Sequence, residues 1–62
     1  MNVVITMTNG DSFRYDGVDL NFIKSVQDNF LYQRPLFMQK DGVERIFNTN
    51  HISTITFIEV EE

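Results

Sequence analysis

The sequence predicts a small α+β protein: an antiparallel, strongly bent sheet approaching a partial barrel, with one helix at about 19–30. Three observations carry this. Asn9-Gly10 and Lys40-Asp41-Gly42 each sit between β-forming runs, as hairpin turns do. Between those hairpins, apolar residues recur at a helical period from Leu20 to Leu31. The chain has 62 residues, enough for one small domain spanning 1–62.

Val3-Val4-Ile5-Thr6-Met7-Thr8 is rich in β-branched residues and runs into Asn9-Gly10, and Ser12-Phe13-Arg14-Tyr15-Asp16 alternates polar and apolar. A two-residue Asn9-Gly10 loop would put Val3, Ile5 and Met7 on the face opposite Phe13 and Tyr15. A three-residue loop through Asp11 pairs Met7 with Phe13 and Ile5 with Tyr15, gathering all five on one face. A one-residue slip flips every side chain, so the longer loop or a bulge is expected.

Gly17 ends this strand, and Asp19 is placed to cap a helix. Leu20, Ile23, Val26, Phe30 and Leu31 form the expected buried stripe, with Lys24, Gln27 and Asp28 outward and Phe22 off the stripe. Pro35 has no amide hydrogen and disfavours helix at Arg34, so the chain should re-enter as an edge strand, a poorer template for pairing than the first strand.

Leu36–Gln39 and Val43–Phe47 read as a second hairpin, with Gly42 in the left-handed position of a type I turn with a G1 bulge. Both of its sides are sticky in any register. Asn48-Thr49-Asn50-His51 reads as a short turn capped by Asn48 or Asn50. The final strand, 52–60, carries Ile55 and Phe57 on one face and Ile58 and Val60 on the other. That suits the middle of a curved sheet, or a strand shared between subunits. The terminal glutamates look like gatekeepers against further sheet growth. The expected order is β-β-α-β-β, with an extra turn before the last strand.

Size and composition then bound the function. A chain of this length buries only roughly 60% of its unfolded surface, so its core is marginal without staples. No cysteine is present, which excludes disulfides, thiolate metal sites and a cysteine nucleophile. Aromatics at 13% point to a dense core assisted by association. The net charge is −4, and three of the nine acids, Glu59, Glu61 and Glu62, lie at the end, leaving six against five bases over 1–58. A nearly neutral body argues against general nucleic-acid binding and against a DNA mimic. No apolar run approaches the roughly 18 residues of a membrane span, and Met1-Asn2-Val3 is not a charged leader start, so no membrane association is expected.

Chemical groups are sparse. His51 is the single histidine, Ser12, Ser25 and Ser53 lack a nucleophile-elbow context, and the three glycines are isolated. No catalytic residue, metal site or cofactor is expected, and the protein is read as a non-enzyme. Binding is better supported. Tyr32, Arg34 and Phe37 are the expected contact residues for a protein partner, because Tyr and Arg are enriched at the energetic centres of interfaces.

Two resemblances extend this reading. Ile5-Thr6-Met7-Thr8-Asn9-Gly10-Asp11-Ser12-Phe13 with Asp19 and Asn21, and Ile46-Phe47-Asn48-Thr49-Asn50-His51-Ile52, resemble the two motifs of Sm-like RNA-binding proteins, with Asn48-Thr49 where that family carries Arg-Gly. This resemblance implies a ring-forming RNA-binding module. The hairpin around Thr8-Asn9-Gly10, the short helix, and Phe47 to Ile55 ending in glutamates resemble small proteins encoded by phages and prophages of Gram-positive bacteria. That resemblance implies a non-enzymatic inhibitor or adaptor that occludes a host protein in the bacterial cytoplasm. The leading expectation is a self-associating, protein-binding module of this kind. Its alternatives are the Sm-like RNA binder and an enzyme assembled across subunits around His51.

Overall fold

The computed structural model describes residues 1–60. Its elements are β1 (Asn2–Met7), β2 (Ser12–Tyr15), α1 (Leu20–Leu31), β3 (Leu36–Lys40), β4 (Val43–Phe47), a 3-10 turn (Thr49–His51) and β5 (Ile52–Ile58). This is the α+β class expected, in the expected order, with the extra turn in place before the final strand. The gatekeeper role expected of Glu61 and Glu62 lies outside the described residues.

The sheet is not one bent surface and does not close toward a barrel. A three-stranded sheet, ordered β2-β1-β5, stands beside a two-stranded β3-β4 ribbon, all antiparallel. The polar 3-10 turn after β4 takes the chain off the ribbon and returns β5 to the free side of β1. Asn48 Oδ1 accepts the Asn50 N–H at 3.0 Å and starts this turn, and Thr8 N–H donates to the His51 carbonyl at 2.8 Å, docking it beside β1. β1 is therefore the central strand. β5, expected either in the middle of a sheet or shared between subunits, is an edge of its own sheet, and β1 is closed as a template for pairing.

The first hairpin has a three-residue loop, Thr8-Asn9-Gly10, closed by Met7 N–H to the Asp11 carbonyl at 2.7 Å and Gly10 N–H to the Met7 carbonyl at 3.0 Å. Gly10 has φ of 96°, the left-handed residue this loop requires. Ile5 pairs with Phe13 and Val3 with Tyr15. The loop begins one residue earlier than Asn9-Gly10-Asp11, so the register is displaced by two residues from the expected Met7–Phe13 and Ile5–Tyr15 pairs. A two-residue displacement keeps every side chain on its face, and Val3, Ile5, Met7, Phe13 and Tyr15 do share the core side. A register shift between Thr6 and Met7, where the β5 partner moves from Thr54 to Ile52, puts Ile52 on that side with Ile55 and Phe57.

The second turn differs from the expected type I turn with a bulge. Asp41 and Gly42 have φ of 53° and 78°, a two-residue turn of type I′. It pairs Leu36 with Phe47 and Phe37 with Ile46, which sorts the two faces. Leu36, Met38 and Phe47 are buried, and Phe37 and Ile46 point outward.

Asp19 caps α1 as expected, its Oδ1 accepting the Phe22 N–H at 2.7 Å. The helix ends in a Schellman motif: Gln33 N–H donates to the Phe30 carbonyl at 3.2 Å and Arg34 N–H to the Asn29 carbonyl at 2.7 Å, with Gln33 left-handed at φ 58°. The buried side is centred on Ile23 and Val26, with Phe22 packed against the core. Leu20, Phe30 and Leu31, expected on the buried stripe, are exposed, because they lie on the end turns of the helix, away from Ile23 and Val26 at the centre of its buried side. The core draws on every layer: Val3 and Ile5 at 0% exposure, Tyr15, Val26, Leu36, Met38, Phe47 and Ile52. Phe13 and Phe47 meet edge to face at 5.2 Å, and Tyr15 meets Phe47 at 6.4 Å, joining the two sheets.

Candidate functional site

The three residues expected to bind a partner are all on the surface. Tyr32 is 64% exposed and stands at the helix exit. The left-handed turn at Gln33 brings Arg34 back over it, with the guanidinium carbon 5.3 Å from the ring centroid. Such stacking restrains both side chains in water and presents a flat aromatic surface beside five N–H donors. Phe37, 60% exposed, lies directly across from Ile46, 64% exposed, on the outward side of the β3-β4 ribbon. Phe37 pairs with Ile46, while Tyr32 and Arg34 pair with each other, so the surface is built from two units.

A third feature was not read from the sequence. Phe30 and Leu31 at the end of α1 and Ile55 and Phe57 of β5 line an open groove of about 430 Å³ with Gln27, Ser53 and Thr54. It depends on β5 lying at the edge, a long-range relation. The local signal is the run Ile52–Ile58, which holds neither charge nor proline.

A cavity of about 540 Å³ lies between the first hairpin loop, β4 and the 3-10 turn. It brings together residues from the two stretches that resemble Sm-like motifs. The Arg45 guanidinium stands 4.9 Å over the Phe13 ring, and Asp11, Glu44 and His51 are at the rim. His51 is held through its backbone, its N–H donating to the Asn48 carbonyl at 2.9 Å and its carbonyl accepting from Thr8. Among the described residues no three His, Asp or Glu side chains are placed to hold a metal ion. Ser12, Ser25 and Ser53 are exposed, with Ser12 Oγ 3.3 Å from Thr6 Oγ1 and Ser53 Oγ 3.5 Å from Thr54 Oγ1.

Two ionisable groups are displaced from their ordinary values. Burial pushes the Tyr15 phenol up, and the positive charge of Arg45 partly opposes this. The Arg14 side chain hydrogen-bonds Asp16 at 2.8 Å and holds its carboxyl below the usual range, on an exposed surface. Burial and the neighbouring guanidinium and ammonium groups account for both displacements. No helix among the described residues is long and apolar enough to cross a membrane. Set against known proteins, the chain matches no family model, no curated protein and no solved structure.

Proposed function

We propose that this chain is a non-catalytic protein-binding module of the cytoplasm that associates with itself and acts by occluding a partner, in the manner of a phage-type inhibitor or adaptor. The observation that carries the reading is the pairing of Phe37 with Ile46 on the outward side of β3-β4. A marginal 62-residue domain gains little by holding two large apolar side chains in water, whereas a partner's groove would bury both. The Tyr32–Arg34 stack adds a restrained aromatic anchor with hydrogen-bonding capacity.

The test is affinity capture from the native cell with the wild type, Y32A/R34A and F37D, followed by measurement of binding to the captured protein. The wild type is expected to retain one specific partner, with both variants binding at least about 30-fold more weakly. Capture unchanged in both variants overturns the reading. A second reading, binding of single-stranded RNA, is favoured by the Arg45–Phe13 stack in the cavity of about 540 Å³, where a base would stack on the guanidinium plane. It requires a salt-sensitive RNA shift that R45A removes, and absence of any shift at low salt discards it.

A further inference from the structure

We propose that the outer edge of β5 pairs antiparallel with β5 of a second copy, about a two-fold axis at Ile55, to give a six-stranded sheet. The inference rests on the self-association in the reading above and identifies the surface responsible.

The ladder pattern determines which backbone groups are free. Met7 exchanges hydrogen bonds across the first hairpin, so odd-numbered residues of β1 direct their N–H and C=O groups toward β2. Even-numbered ones face β5, as the bond from Thr8 to His51 shows. Thr54, Thr56 and Ile58, opposite Thr6, Val4 and Asn2, therefore bond to β1. Ile55 and Phe57, with Ser53 at the register shift, aim their N–H and C=O groups away from the sheet. The same alternation directs the Arg14 carbonyl outward on β2, where the Lys40 ammonium occupies it at 3.1 Å.

Each other edge carries protection. β2 has Arg14, β3 follows Pro35 and ends at Lys40, and β4 contains Glu44 and Arg45. β5 presents seven residues without charge or proline. Charge, proline and brevity keep edges unpaired, and this strand has none of them; its one irregularity, the register shift at Ser53, falls at the start of the segment and leaves Thr54–Ile58 regular.

Symmetry suits a second copy of the same strand. With Ile55 opposite Ile55, Ser53 falls opposite Phe57 and Thr54 opposite Thr56 across the axis. On the core side, two sets of Ile55 and Phe57 adjoin and extend the groove that Phe30 and Leu31 leave open. On the other side, exposed threonines meet threonines. Beyond the paired segment, the register brings His51 toward Glu59, a nitrogen donor toward a carboxylate, at both ends.

The experiment uses the full chain. Light scattering or sedimentation should give a dimer that dissociates on dilution. T54K/T56K places Lys opposite Lys twice at exposed positions and is expected to yield a folded monomer. T54K/T56E places Lys opposite Glu twice and should restore the dimer, binding about tenfold or more tightly than T54K/T56K. N-methylation of the Ile55 amide, accessible by chemical synthesis, removes one outward N–H while leaving the bonds within the protomer intact, and should also abolish the dimer. A wild type that remains one chain at about 1 mM overturns the proposal, as does an N-methylated or folded T54K/T56K protein that dimerises like the wild type. Partner capture separates the two readings: a monomeric T54K/T56K that still captures the partner leaves the binding surface standing. Y32A/R34A and F37D that dimerise normally yet capture unchanged remove the binding surface and leave the edge standing.

Discussion

Phe47 of the two-stranded ribbon meets Phe13 of the three-stranded sheet edge to face, with ring centroids 5.2 Å apart and planes at 63°. Tyr15 approaches the same Phe47 ring at 6.4 Å, and Arg45 lies over the other partner, Phe13. Because no backbone ladder joins the two sheets, side-chain contacts of this kind, with the bond from the Lys40 ammonium to the Arg14 carbonyl, hold them together.

F47A should therefore unfold the chain. Truncating a buried Phe costs about 3–5 kcal/mol, and a core of this size rarely supplies more than about 3–5 kcal/mol. F47L keeps most of the volume and should fold with a lower midpoint. Circular dichroism melts of the two variants distinguish these outcomes, and an F47A protein melting like the wild type would show that the sheets are joined elsewhere.

A second tie links the start of the chain to the entry of α1. The Asn2 side-chain carbonyl accepts the Gly17 N–H at 3.1 Å, and Val18 N–H donates to the Met1 carbonyl at 2.9 Å. Gly17 is exposed and can turn its freed N–H to water, so N2A loses one net hydrogen bond and should cost about 0.5–1.5 kcal/mol. Denaturant titration measures the loss, and amide exchange should report it first at Gly17.

Much of this architecture was legible locally. Asp19 as a cap and Asn48 as the start of a short turn act over three or four residues and operate as read; turns also fall at Asn9-Gly10 and Asp41-Gly42, the first with its loop one residue earlier than expected and the second as type I′. The Tyr32–Arg34 pair was legible for the same reason: a helix stop places both beside solvent. Sheet order was not. Ile52–Ile58 is apolar on both faces, which fits a central strand or an unprotected edge equally, and only the long-range return past the 3-10 turn decides between them. Likewise the helical period marks a stripe but not its usable length: Leu20 stays exposed at one end of the helix, and Phe30 and Leu31 at the other only border an open groove against β5.

Gln33 occupies a position that favours glycine. Its φ of 58° closes the Schellman motif, and a side chain with a Cβ is strained there. Q33G should raise stability by about 0.5–1 kcal/mol, visible as an upward shift of the thermal midpoint. Q33A should not, since alanine keeps the Cβ. Equal effects of the two substitutions would show that the gain comes from losing the glutamine side chain.

Tyr15 makes stability sensitive to alkali, with a sign that follows from its surroundings. Burial raises its pKa in the folded chain above the ordinary value, while the unfolded chain ionises normally near pH 10. The neutral phenol's contribution is thus fully present below that pH. It declines as pH rises from the ordinary value toward the folded one, because the unfolded state releases its proton first. Arg45 narrows the window by favouring the phenolate, so R45A should widen it. Y15F removes the titrating group while keeping the ring against Phe47, and should flatten the loss of stability above about pH 10. Urea midpoints measured from pH 8 to pH 11 on the wild type, R45A and Y15F test this. A wild-type curve parallel to that of Y15F would show that packing of the Tyr15 ring against Phe47 does not raise the pKa of its hydroxyl.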